Sequence, residues 1–340
     1  MRVLSDDIAI DLGTANTLVH VLGRGIVIDE PSLVAVQNRG GVREILAVGE
    51  RAKAMIGRTP EAVEALRPMR DGVIADFVAT EEMLRQFIKR ARSMLGLRRP
   101  RILICVPAGA TPVERRAVYE TAVSAGARRV YLIEEPVAAA IGAGLAIDER
   151  APHMVVDIGG GTTDIAVLSV GNVVQARSLR SAGNAMDEAI VRYIRREHGL
   201  QIGSGSAERI KIEAGTASKL PGGRGAEIRI RGRDLKHGHP KSVVLRPIDI
   251  AGALESVVTD ITEFIQRALE ELPAGVRVEI ADRGISLSGG GALLDRLDSE
   301  LERRLDIACR VPEHPTHCVV MGTAQVLETL RDRRHLLIEG

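Results

Sequence analysis

The chain has 340 residues, 45% of them hydrophobic, enough for a substantial core and, on length alone, for more than one domain. Lysine and arginine number 46 against 45 aspartate and glutamate, a formal net charge of +1 that gives no reason to expect a polyanion-binding protein. Cys105, Cys309 and Cys318 are too sparse for a disulfide framework, and with 2% aromatics and no tryptophan the interior must be built from Val, Ile, Leu and Ala.

In chain order, the first residues carry acids at Asp6 and Asp7 and no signal-peptide apolar stretch. An apolar run from Ile8 to Leu12, broken by Asp11, leads into Gly13-Thr14-Ala15-Asn16 and a second run from Thr17 to Leu22. This predicts a β-hairpin with a small-residue turn, and a third strand is expected near Gly25 to Ile28. Residues 30 to 75 then interrupt the pattern as an inserted segment. After a helix ending near Arg92, Met94, Leu95 and Leu97 stand beside Arg98, Arg99 and Arg101 in a loop. Apolar tips next to bases suit shallow insertion among anionic lipid headgroups. A strand at Ile102 to Val106, a helix at Thr111 to Ala125, a strand at Val130 to Ile133 and a helix from Pro136 follow. The longest apolar run, Val137 to Ile147, is too short to span a bilayer, and a cytoplasmic location is expected.

At Met154 the opening pattern repeats: Met154-Val-Val-Asp-Ile-Gly-Gly-Gly-Thr-Thr-Asp164, with strands expected at Ile165 to Val170 and Asn172 to Arg177. A helix at Ala185 to Glu197 follows, within a second insertion that spans residues 179 to 250. A long amphipathic helix from Ile250 to Leu272 puts Leu254, Val257, Val258, Ile261, Ile265, Ala268 and Leu272 on one face. Then come a strand at Ile285 to Leu287, the glycine cluster Ser288-Gly-Gly-Gly-Ala292, a helix from Ala292 to Leu305 and a helix from Val319 to Leu330. Cys309, His314, His317 and Cys318 are interrupted by Pro312 and Pro315 and read as ordinary residues near a turn rather than as a metal site.

Two similar α/β halves, each opened by a glycine turn of phosphate size, imply a nucleotide held between them. A turn that wraps a phosphate needs small residues, because its backbone N–H groups must approach the oxygens. Gly13, Thr14, Ala15 and Asn16 suit the first such loop; Gly159, Gly160, Gly161 and Thr162 suit the second. Asp11 and Asp157 precede them at strand ends, where two carboxylates could hold a hydrated Mg²⁺. The third cluster, Gly289, Gly290, Gly291 and Ala292, places backbone amides at a helix start, a favourable place for nucleotide contacts.

Asp11-Leu-Gly-Thr14, Asp157-Ile-Gly-Gly-Gly-Thr162 and Ser288-Gly-Gly-Gly291 resemble the two phosphate motifs and the adenosine motif of the actin superfamily. Glu134-Glu135-Pro136 and Met321-Gly322-Thr-Ala324 are similar to its two connecting helices. Within that superfamily, Ile10 to Leu18, Arg67 to Phe77, Ala125 to Val130, Met186 to Ile190 and Ala207 to Lys211 resemble the MreB family, over roughly Asp7 to Glu328. The resemblance implies an actin-like ATPase fold, α/β, with four subdomains: residues 1–29, 76–142 and 320–340 (IA), 30–75 (IB), 143–178 and 251–319 (IIA), and 179–250 (IIB). It implies binding of ATP and Mg²⁺, slow hydrolysis, and antiparallel paired filaments that set rod shape with membrane-embedded cell-wall elongation proteins at the inner membrane face. By resemblance Glu135 positions the attacking water, Thr162 helps orient it, and Glu208, Arg209, Ile210 and Lys211 lie by the ribose and adenine. Met94, Leu95 and Leu97 coincide with the family's membrane loop. Asn184, Ala182 and Asp164 depart from the usual pattern, which leaves the hydrolysis rate open. A small-molecule kinase on the same fold is the main rival; it needs a second substrate pocket, and residues 30 to 75 show no polar cluster for one. A seventy-kilodalton-type chaperone would need a peptide-binding domain beyond Gly340.

Overall fold

The computed structural model describes residues 7–39, 42–55, 63–92, 99–220 and 226–339. Strands β1 (Ile8–Leu12), β2 (Asn16–Val21) and β3 (Gly25–Pro31) come first, then β4 (Val34–Arg39), β5 (Val42–Val48), helix α1 (Glu50–Met55), β6 (Val63–Leu66), β7 (Met69–Arg70) and β8 (Val73–Ile74). Helix α2 (Phe77–Ala91) begins where the Asp76 carboxylate accepts from the Ala79 N–H. After β9 (Arg101–Val106), helix α3 (Pro112–Ser124) opens on a capping box of Thr111 and Glu114 with Pro112 at its first position. Next are β10 (Arg129–Glu134) and α4 (Glu135–Gly142). Then β11 (His153–Ile158), β12 (Thr163–Ser169) and β13 (Asn172–Leu179) repeat the strand–turn–strand order of the opening.

Helix α5 (Gly183–His198) is closed by the left-handed Gly199 and followed by β14 (Leu200–Gln201), α6 (Ser204–Ala214), β15 (Ile228–Asp234) and β16 (Pro240–Leu245). The chain continues through α7 (Pro247–Glu270), α8 (Ala274–Arg283), β17 (Ile285–Ser288), α9 (Leu297–Leu305), β18 (Cys309–Arg310), α10 (Cys318–Glu328) and β19 (Leu337–Ile338). Two expectations need correction. The sequence reading leaves Pro273 to Gly284 without an element, whereas α8 starts directly after Pro273. It also runs one helix from Ala292 to Leu305, whereas a 3₁₀ turn covers Gly290–Leu293 and α9 starts only at Leu297. Arg296 sits at φ +60, which no helix interior accommodates, and the Asp295 carbonyl accepts from the Ala217 N–H at 2.8 Å.

The chain divides into two compact units. The first comprises Met1–Val155, Asp164–Ser178 and Thr316–Gly340. Its main sheet has the order β19-β10-β9-β1-β2-β3, with β1, β9 and β10 parallel and β1 to β3 antiparallel. Because side chains alternate along a strand, Ile8 and Ile10 of β1 face one layer, with Met83, Leu84 and Phe87 of α2. Ala9 faces the other, with α4 and α10. A smaller sheet, β5-β4-β6, and the β7–β8 hairpin complete the described strands of the opening insertion. The second unit comprises Val156–Thr163 and Leu179–Pro315. It holds the sheet β14-β15-β16, the parallel pair β17–β18, and α7, whose apolar stripe from Leu254 to Ala268 is buried as its spacing predicts.

Candidate functional site

In the first unit, β1 delivers Asp11 at its C-terminal end and the chain turns through Gly13, Thr14 and Ala15 into Asn16 of β2. A side chain at Gly13 would press on the Asn16 carbonyl, so the turn requires glycine. Two distant groups hold it. The Ser32 hydroxyl donates to the Gly13 carbonyl at 2.6 Å, and the Gly72 N–H donates to the Thr14 hydroxyl at 2.9 Å. The Asn16 amide reaches Asp29 at 3.2 Å. Glu135 is buried at the first position of α4, directly after β10. Its neighbour Glu134 has its carboxyl pushed up by burial, opposed by Arg115 at 3.9 Å.

In the second unit, β11 delivers Asp157 in the same way, and Gly159 to Thr162 form the turn, closed by Gly159 N–H donating to the Thr162 carbonyl at 2.9 Å. The start of α5 grips this turn: the N–H groups of Gly183 and Asn184 donate to the carbonyls of Gly159 and Gly160 at 3.1 and 2.7 Å. Because Asn184 contributes backbone there, the usual aspartate is not needed for that bond. The third glycine cluster packs on the same strand end. Gly289 has φ +82, and a side chain on it would collide with the Ile158 backbone; one on Gly291 would collide with the Ile158 side chain. The cluster is therefore also a packing device, which brings Ser288 within 2.6 Å of Asp157.

Asp157 is a strongly perturbed acid. Burial pushes its carboxyl up from 3.8 to about 6, with the Ser288 hydroxyl pulling the other way. Among the described residues Ser288 is its one hydrogen-bond donor, so the carboxylate is short of positive partners. A buried carboxylate with that deficit has the oxygen donors that a hydrated divalent cation takes. The residues expected from the sequence to lie by the base are on α6: Glu208 is half-buried, Ile210 fully buried, and Arg209 is exposed and paired with Glu213 at 3.0 Å. Lys211 pairs with Asp187 at 2.9 Å and donates to the Gly183 carbonyl at 3.0 Å. Ser32, Gly72 and Gly183 as partners of the turns, and Asp187 as the partner of Lys211, escape sequence reading, since each acts across a long stretch of chain. Gly290 and Ala292 lie in the 3₁₀ turn. Met94, Leu95 and Leu97 lie outside the described residues.

The MreB/Mbl protein family model matches residues 5–335. The chain is 50% identical over 331 residues to the cell shape-determining protein MreB of Escherichia coli K12, covering 96% of this chain and 95% of that protein. It is 46% identical over 324 residues to the cell shape-determining protein Mbl of Bacillus subtilis, covering 95% and 96%. Among solved structures, MreB5 of Spiroplasma citri bound to AMPPNP superposes with a TM-score of 0.90 at 34% identity, covering 98% of this chain and 99% of that one. The MamK double helical filament shares the fold, at a TM-score of 0.78 and 22% identity, covering 95% and 99%.

Proposed function

Because the chain belongs to the MreB/Mbl family of cell shape-determining actin homologues, we propose that it binds ATP with Mg²⁺, hydrolyses it slowly, and polymerises into antiparallel double filaments. These filaments lie on the inner face of the cytoplasmic membrane, where they organise cell-wall synthesis with membrane-embedded elongation proteins and maintain rod shape. The carrying observation is the second-unit cluster: a four-residue glycine turn, the start of α5 and the Ser288–Gly291 turn locked around one undercompensated buried carboxylate. Nucleotide binding is further supported by the Spiroplasma citri relative, whose structures contain AMPPNP and ADP.

In this reading the backbone amides of Gly13 to Asn16 and Gly159 to Thr162 bind phosphate oxygens, and residues 208–211 with 289–292 flank the ribose and base. Mg²⁺, when bound, neutralises charge on the transferring phosphoryl group. Asp11 and Asp157 would hold it through water. Glu135, buried at a helix start, polarises the attacking water, and Thr162 orients it. In this reading the chain is also organised as four subdomains, with the residue boundaries expected from the sequence. Among the described residues no helix is long and apolar enough to cross a membrane; Met94, Leu95 and Leu97 provide the surface attachment instead.

The test is electron microscopy of purified protein on anionic lipid monolayers, with Mg-ATP and without nucleotide. Paired straight filaments lying on lipid with Mg-ATP are expected. A protein that stays monomeric across conditions, binds ATP and transfers its γ-phosphoryl group to a small molecule overturns the filament reading in favour of a kinase.

A further inference from the structure

Lys211 sits on α6, the helix assigned above to the ribose and base, yet its ammonium is engaged inside the protein. It stands 2.9 Å from Asp187 Oδ1 and donates to the Gly183 carbonyl at 3.0 Å, with 18% of its side chain exposed. Both partners belong to the opening turns of α5. Those same turns donate from Gly183 and Asn184 to the carbonyls of Gly159 and Gly160. The contacts form one line from α6, through an ion pair, into the start of α5, and on to the glycine turn. The packing is close: a methyl group on Gly183 would lie 3.2 Å from the Gly159 oxygen and 3.3 Å from the Lys211 nitrogen.

An ammonium has three donors and one charge. Here one donor is directed at a carbonyl, and the charge is balanced by a carboxylate that is 16% exposed. Such a group has little charge left to offer a phosphate. We propose that Lys211 is a positioning residue: with Asp187 it forms a strut that fixes the Gly159–Gly160 turn relative to α6, so that base-side and phosphate-side elements of this unit are set as one piece. The proposal rests on the nucleotide reading above.

The two roles separate by which part of the nucleotide feels the loss. Affinities are measured with a fluorescent ATP analogue in Mg²⁺, with tripolyphosphate and adenosine as competitors, for the wild type, Lys211→Met, Asp187→Asn and the double variant. A strut predicts that each single change weakens ATP and tripolyphosphate by the same factor, about tenfold, and that the double variant is no weaker than either single. Adenosine competition is unchanged. The reversed pair, Asp187→Lys with Lys211→Asp, recovers affinity relative to each reversed single variant, which guards against simple misfolding. Additive losses, or a Lys211→Met loss that appears with adenosine and not with tripolyphosphate, overturn the strut and make Lys211 a base contact. Weakening of all three ligands alike, together with a lowered thermal midpoint, overturns it in favour of a general folding role. A wild type that binds no ATP overturns the nucleotide reading instead, which the strut variants by themselves cannot do.

Discussion

At the scale of single residues, Asp157 shows what a buried carboxylate with one donor costs the fold. Its folded carboxyl titrates at about 6 against an ordinary 3.8, so between those values the folded chain holds a proton that the unfolded chain has lost. Stability from this group is therefore intact below the unfolded value, falls as pH rises through the window, and stays at its lowest above the folded value. The cost above that window is about 3 kcal/mol, since each tenfold change in proton affinity corresponds to about 1.4 kcal/mol. Asp157→Asn removes the charge while the Ser288 hydroxyl can still donate to the side-chain oxygen. In metal- and nucleotide-free protein the variant is expected to melt several degrees higher than wild type at about pH 7.5, with the gap closing towards about pH 4. Mg²⁺-dependent ATP binding should be lost at the same time, so that stability rises as function falls. Scanning calorimetry at the two pH values checks the first point. Equal midpoints at the higher pH would mean that water or a rearranged donor already compensates the carboxylate.

At the scale of elements, α4 and α10 cross at a contact made by two glycines. A Cβ on Gly142 would collide with the Cys318 carbonyl, and one on Gly322 with the Ala138 carbonyl. The helices therefore meet backbone to backbone, as small residues permit, and neither position can take a methyl group without moving the helices apart. Gly322→Ala is expected to destabilise by roughly 3 kcal/mol, the upper range for overpacking, offset slightly by the better helix propensity of alanine. Urea unfolding measures it, and a neutral result would show that the crossing can open without loss. Both glycines stand in stretches whose sequence reads as helix, but what they do there is visible only in the pairing. The same holds for the site. The two Asp-x-Gly turns are legible because strand, acid and small residues fall in one local run. Their clamps are not: Ser32 lies 19 residues from Gly13, and Gly72 lies 58 from Thr14. The break at Arg296 is hidden for the same reason, since the bond from Ala217 to the Asp295 carbonyl beside it joins distant parts of the chain. Periodicity reports which face of an element is buried, and it is blind to a bond that a remote segment imposes on the backbone.

At the scale of the whole molecule, hydrolysis and membrane attachment are separable in the proposed function, because different residues carry them. In the proposed function Glu135 acts on water and not on nucleotide affinity. Glu135→Ala is expected to slow phosphate release by about a hundredfold, in the range for loss of a positioned acid–base group, with ATP affinity within about twofold of wild type. Its filaments should still form on lipid and persist longer. Leu95→Ser with Leu97→Ser makes the opposite cut. Each leucine buried in the acyl boundary contributes about 2 kcal/mol, so a single protomer holds the membrane weakly and the substitutions remove most of that hold. Assembly multiplies the difference, because linked protomers rebind at high effective concentration. The expected result is asymmetric between states. Without nucleotide none of the three proteins sediments appreciably with anionic vesicles, while with Mg-ATP the wild type and Glu135→Ala do and the leucine variant stays in the supernatant. Its phosphate release rate should match wild type. If the leucine variant sediments with the vesicles as wild type does, the attachment lies elsewhere on the chain. If it also loses ATPase activity, the loop supports the fold rather than the membrane contact.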